Sequence, residues 1–182
     1  MTRLTLDWDS DVESEIILRP LHRFRRSETE TWQRFDLPRY VETDAGASSN
    51  SIPLDDICLR LSRHLPEIES VVEFDVTGNQ QREYEFHRAF GFSRDFAVVV
   101  HSIRGSTEDV GVLERVDIWA LPRNGEEDRL PSLLTELADL PLLLDSEFVE
   151  GQCLIGDEEN VRRIWEALIA DLGDYWQGRD GT

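Results

Sequence analysis

The sequence contains no lysine. All 19 basic residues are arginine, set against 38 acids, for a formal net charge of −19 over 182 residues. Without lysine there is no Schiff-base nucleophile and no lysine clamp for phosphate, and neither the GxxxxGK[ST] nor the GxGxxG glycine loop occurs. Cysteine is almost as scarce. Cys58 and Cys153 lie far apart beside apolar neighbours, which predicts buried free thiols and a reducing, cytoplasmic setting. The four histidines, His22, His64, His87 and His101, are scattered, with no HExxH and no paired cysteines, so no metal site and no cofactor are expected. Long apolar runs are missing too. Nothing approaches the roughly 18 residues of a membrane span, and the N-terminus lacks the apolar stretch of a signal peptide, so no membrane association is expected.

What is present is acid, and it is polarised. Residues 1–104 carry 19 acids and 13 arginines, whereas residues 105–182 carry 19 acids and six arginines. Such a surface repels phosphate, which argues against unaided nucleic-acid binding and favours a basic protein partner. Salt adaptation or a GC-rich genome accounts for the same composition without any partner. Against this background Arg19, Arg23, Arg25 and Arg26 form a basic island. The simplest expectation is that they pair with the chain's own carboxylates; the alternative is an anion-binding anchor.

Periodicity places the elements. Leu4, Leu6 and Trp8 alternate, and "EIILRPL" follows an acidic turn, which reads as an N-terminal hairpin. Ser27 followed by Glu30 has the capping-box spacing and predicts a short helix over 28–35. Residues 42–51, small and polar, read as a flexible connection. Leu54, Ile57, Cys58, Leu61 and Leu65 give a helix with Pro53 in its first turn and Pro66 at its end. Four strand-like runs follow at about 68–76, 82–89, 95–103 and 112–121; "FAVVVHSI" is apolar on both faces and so reads as an inner strand. Leu130, Leu133, Leu134 and Leu137 predict another helix, residues 148–155 a short strand, and Val161, Ile164, Trp165, Leu168, Ile169 and Leu172 a final helix capped by Asp157 and stopped at Gly173. The expectation is a single α+β domain over 1–182: an antiparallel meander of about four strands plus the N-terminal hairpin, helices on one face, and a C-terminal amphipathic helix.

For chemistry, the one catalytic constellation that can be assembled joins His87 and His101 with Glu85, Asp95 or Ser102. Alternation in "EYEFHRAF" puts Glu85 and His87 on the polar side of a strand, where cross-strand pairing explains them without catalysis. Asp55 and Asp56, adjacent on a helix, point about a hundred degrees apart and suit the helix's positive end. Trp119 falls on the polar side of "LERVDIWALP", a position that implies cover by a helix, a ligand or a partner. The leading functional expectation is a non-catalytic acidic protein-binding module, such as an inhibitor, immunity or antitoxin-like protein. Its contacts with the basic partner would come from Glu126, Glu127, Asp128, Asp145, Glu147, Glu150 and Trp119. A small hydrolase or transferase using a His–carboxylate site, and a chaperone or accessory subunit, are the alternatives.

Overall fold

The computed structural model describes residues 3–6, 15–43, 51–74, 81–83, 88–93, 96–103, 111–120 and 129–179. In chain order the elements are β1 (Arg3–Leu6), β2 (Glu15–Pro20), a 3-10 turn (Leu21–Arg23), β3 (Phe24–Trp32), β4 (Leu37–Glu42), α1 (Leu54–Ser62), β5 (Glu67–Ile68), β6 (Ser70–Phe74) and β7 (Gln81–Glu83). They continue with β8 (Arg88–Ser93), β9 (Phe96–Ser102), β10 (Leu113–Ala120), α2 (Arg129–Leu137), β11 (Leu142–Ser146), β12 (Gly151–Leu154) and α3 (Glu158–Arg179). The class is α+β. Seven strands form an antiparallel sheet in the order β12-β11-β2-β10-β9-β8-β5, beside a β3-β4 hairpin and a small β1-β6-β7 sheet.

The sheet's two faces follow from register. Phe90, Val98, Ile118 and Ile16 lie level across four strands, and Val100, Val116, Leu18, Leu144 and Cys153 form the next row. Both rows belong to one buried cluster with Leu54, Ile57 and Leu61 of α1, Leu130, Leu133, Leu134 and Leu137 of α2, and Val161, Ile164, Trp165 and Leu168 of α3. The three helices therefore cover the same face, as their apolar stripes require. A bulge between Leu113 and Arg115 shifts the alternation, so that Leu113 joins Val116 and Ile118 in this core. The inner strand β9 is buried on both faces: Ala97, Val98, Val99 and Val100 are all fully buried. Both cysteines are buried free thiols.

Several expectations need correction. The N-terminal hairpin does not form. Strand β1 pairs parallel with β6, while β2 is inserted between β10 and β11. An apolar strand such as β2, with Ile16 and Leu18 buried, gains more from two partners inside the large sheet than from one at its edge. The expected meander is likewise divided, since β6 and β7 belong to the small sheet and β8-β9-β10 to the large one.

The helix predicted over 28–35 is instead strand β3 and the turn after it. The Ser27 hydroxyl does accept the Glu30 N–H (3.1 Å) and faces the Thr29 N–H (3.4 Å), but these contacts occupy a break in the β3-β4 register between Arg26 and Thr31. A hydroxyl can satisfy a nearby N–H in a bulge as well as in a cap, and 28–31 lacks any apolar stripe to hold a helix. At the other end, α3 runs past Gly173 to Arg179, because one glycine lowers helix propensity without removing a backbone hydrogen bond. Its start is as predicted: Asp157 accepts the Asn160 N–H at 3.2 Å. Strand β11 was not foreseen. The predicted connection at 42–51 lies mostly outside the described residues.

Candidate functional site

Polar side chains gather on the face of the sheet opposite the three helices. Ala89, Val99, Asp117, Ile17, Asp145 and Gln152 lie level across six strands, from β8 to β12. One register step away are His101, Arg115, Arg19 and Leu143. The acids and bases of an acid-rich chain are thus laid in neighbouring rows on strands whose geometry is set by apolar burial on the opposite face.

Much of this polar face is buried, although Arg19 and Arg115 keep part of their side chains in solvent. Asp117 is 1 % exposed, Asp145 5 %, Gln152 5 % and His101 9 %. His101 Nε2 stands 2.8 Å from Asp117 Oδ2, and Arg115 Nε donates to both carboxylate oxygens at 2.9 and 3.1 Å. The His–carboxylate contact anticipated for His101 therefore exists, but with Asp117 as the acid. Its partner was missed because the alternation that puts Trp119 on the polar side of its strand puts Asp117 there as well, which reads as a wet face. His87, Glu85 and Asp95 lie outside the described residues, and Trp119 pairs with Glu15 and Ala97 through its backbone while its side chain lies outside them.

Asp145 corrects the expectation of a surface acid. It sits in β11, where every residue is buried, with Arg19 Nε at 3.9 Å and a hydrogen bond from Gln152. Burial raises its pKa above the ordinary 3.8, while Gln152 and Arg19 oppose the rise. The sign follows from proton linkage. The folded state holds the Asp145 proton up to a higher pH than the unfolded state, so this group's contribution to stability falls as pH rises from 3.8 through the raised value. Asp145→Asn removes that dependence. Urea unfolding at a series of pH values is therefore expected to show the wild type gaining on Asp145→Asn as pH is lowered; the opposite slope would contradict a raised pKa.

The basic island divides. Arg19 meets Asp145, and Arg23 hydrogen-bonds Glu42. Arg25 and Arg26 project from exposed positions on β3. Other arginines are consumed locally: Arg34 by Asp171, Arg39 by Glu30, Arg60 by Asp56 and Asp139, and Arg88 by Glu67.

The expected acidic contacts are similarly sorted. Glu147 and Glu150 are exposed in the β11–β12 turn, and Glu126, Glu127 and Asp128 lie outside the described residues. Glu158 and Glu159 are exposed on the first turn of α3, just after the exposed Asp157. Beside them three depressions meet. A groove of about 500 Å³ between α2 and α3 shares Ala138 and Glu158 with a second of about 650 Å³, and the second shares Leu21, Leu140 and Pro141 with a third of about 400 Å³. Among the described residues no three His, Cys, Asp or Glu side chains are grouped to hold a metal, and no helix is long and apolar enough to cross a membrane. Comparison with protein-family models, with curated proteins and with solved structures finds no match for this chain.

Proposed function

We propose that the chain is a non-catalytic acidic binding protein, in the manner of an inhibitor, immunity or antitoxin-like protein, that docks on a basic surface of a partner protein. The observation that carries this reading is how the charges are spent. Eight of the described arginines meet the chain's own acids, whereas Glu147, Glu158 and Glu159 are exposed without an ion pair to any described arginine, and the exposed Glu150 feels the charge of Arg34. Exposed carboxylates left without a cation of their own steer and select a cationic partner.

The test is affinity purification from the source cells at low and high salt, with Glu147→Arg/Glu150→Arg alongside. A basic protein retained at low salt, released at high salt, and bound about 10- to 100-fold more weakly by the double variant is the expected result. Equal affinity of variant and wild type for that protein would count against the reading.

The His101–Asp117 contact favours a second reading, a small hydrolase or transferase with His101 as base. It ranks lower because Asp117 is already engaged by Arg115 and both His101 and Asp117 are buried. Loss of a measured hydrolytic activity in His101→Gln, with stability unchanged, would promote it.

A further inference from the structure

The three connected depressions cross one end of the molecule, running from the start of α1 over the Ala138–Pro141 turn to the groove between α2 and α3. Leu154 is 39 % exposed, Pro141 is exposed, and Leu21 and Leu140 are half-buried, so the middle of the trough presents apolar side chains to solvent. Along the same stretch the rim carries Asp157, Glu158 and Glu159, with Arg162 also lining the groove between α2 and α3, where it faces Glu166 at 4.0 Å. Apolar floor and acidic rim are independent features, and they coincide here. Exposed Leu59 on α1, by contrast, lies outside all three depressions.

We infer that this trough seats one part of the partner, apart from Glu147 and Glu150, which line none of the three depressions, and that its occupant is a segment of that protein in which apolar side chains are interleaved with arginine or lysine. The inference rests on the acidic-binding reading and sharpens it. An apolar floor gives binding energy by removing Leu154 and Pro141 from water, while the carboxylates select for cationic neighbours and against acidic ones. Without the floor, a charged rim supplies attraction that salt screens out; with it, binding survives at physiological ionic strength. A continuous trough also suits a linear segment better than a flat acidic patch does.

The test uses the full chain and short fluorescein-labelled peptides, followed by fluorescence anisotropy at low and at physiological salt. One peptide alternates leucine with arginine, a second is arginine interleaved with serine, and a third carries glutamate in place of arginine. The leucine–arginine peptide is expected to bind at both salt concentrations. Its affinity is expected to fall about tenfold in Leu154→Gln and about tenfold in Glu158→Arg, and to stay unchanged in Leu59→Gln. All three positions are exposed, so folding is retained, and thermal melts confirm it.

Equal binding of the serine–arginine peptide, with sensitivity to Glu158→Arg but not to Leu154→Gln, would overturn the trough while leaving the acidic-surface reading standing. Equal binding of the leucine–glutamate peptide would overturn the charge selection. No binding of either cationic peptide at low salt would overturn both the trough and the reading beneath it.

Discussion

Asp117→Ala is expected to lower the unfolding free energy by about 3–5 kcal/mol, the cost typical of breaking a buried charge pair from one side. The carboxylate is 1 % exposed and meets His101 Nε2 at 2.8 Å and Arg115 Nε at 2.9 and 3.1 Å. Alanine leaves a guanidinium and an imidazole facing a hole in a sheet face from which water is excluded. The two partners differ in how they bear the loss. Arg115 has a side chain 39 % exposed and can turn part of its charge to solvent; His101, with a side chain 10 % exposed, stays in the buried row. Asp117→Asn, which preserves shape and one acceptor, is expected to cost less than alanine. Urea unfolding at neutral pH measures both variants. A loss under about 1 kcal/mol for Asp117→Ala, the range of an exposed ion pair, would show that the row is solvated rather than buried.

Phe35→Ala is expected to cost a similar amount, about 3–5 kcal/mol, and to express it locally. Phe35 lies in the turn between β3 and β4 and is 7 % exposed. Its ring lies close to Gly151 and Ile164: a side-chain carbon built on Gly151 would fall 3.0 Å from both the Phe35 ring and the Ile164 side chain. Glycine at 151 is therefore what lets the ring reach α3. Around it the hairpin is tied by polar contacts: Arg163 donates to the Phe35 carbonyl at 3.0 Å, and Gln152 Oε1 accepts the Trp32 indole N–H (3.0 Å) and the Tyr40 N–H (2.8 Å). These bonds are individually modest, about 1 kcal/mol each. With the ring removed, the hairpin is expected to open ahead of the sheet, seen as faster amide exchange over 24–42 than over β9 and β10. Uniform acceleration across all strands would mean that the hairpin and sheet unfold as one unit.

Much of the fold was legible because it depends on local periodicity. The apolar stripes of α1, α2 and α3, the Asp157 cap and the doubly buried β9 follow from spacing alone, since each element buries whichever face its period makes apolar. Legibility stopped where a local signal admits two structures. Ser27 and Glu30 make their expected contact, yet in a strand, because the energy of one hydroxyl–amide bond does not depend on what surrounds it.

The site was less legible still. Nothing local distinguishes Asp145 from Glu147 two residues later, but one is 5 % exposed beneath Gln152 and the other is in solvent. Asp117 read as a wet-face residue for the same reason: alternation reports that two faces differ, not whether the second is also covered.

The sequence by itself determined the α+β class, the apolar stripes of the three helices and the Asp157 cap of the last, the burial of both thiols and the surplus of acid, all of which rest on composition and short-range period. Tertiary structure alone decided that β2 enters the middle of the large sheet and leaves β1 to pair elsewhere. It also decided that Asp117, His101, Asp145 and Arg19 share a buried face, and that Leu21, Leu140 and Leu154 meet beside Glu158. These are contacts between distant segments, selected by how much apolar surface the whole chain can bury at once.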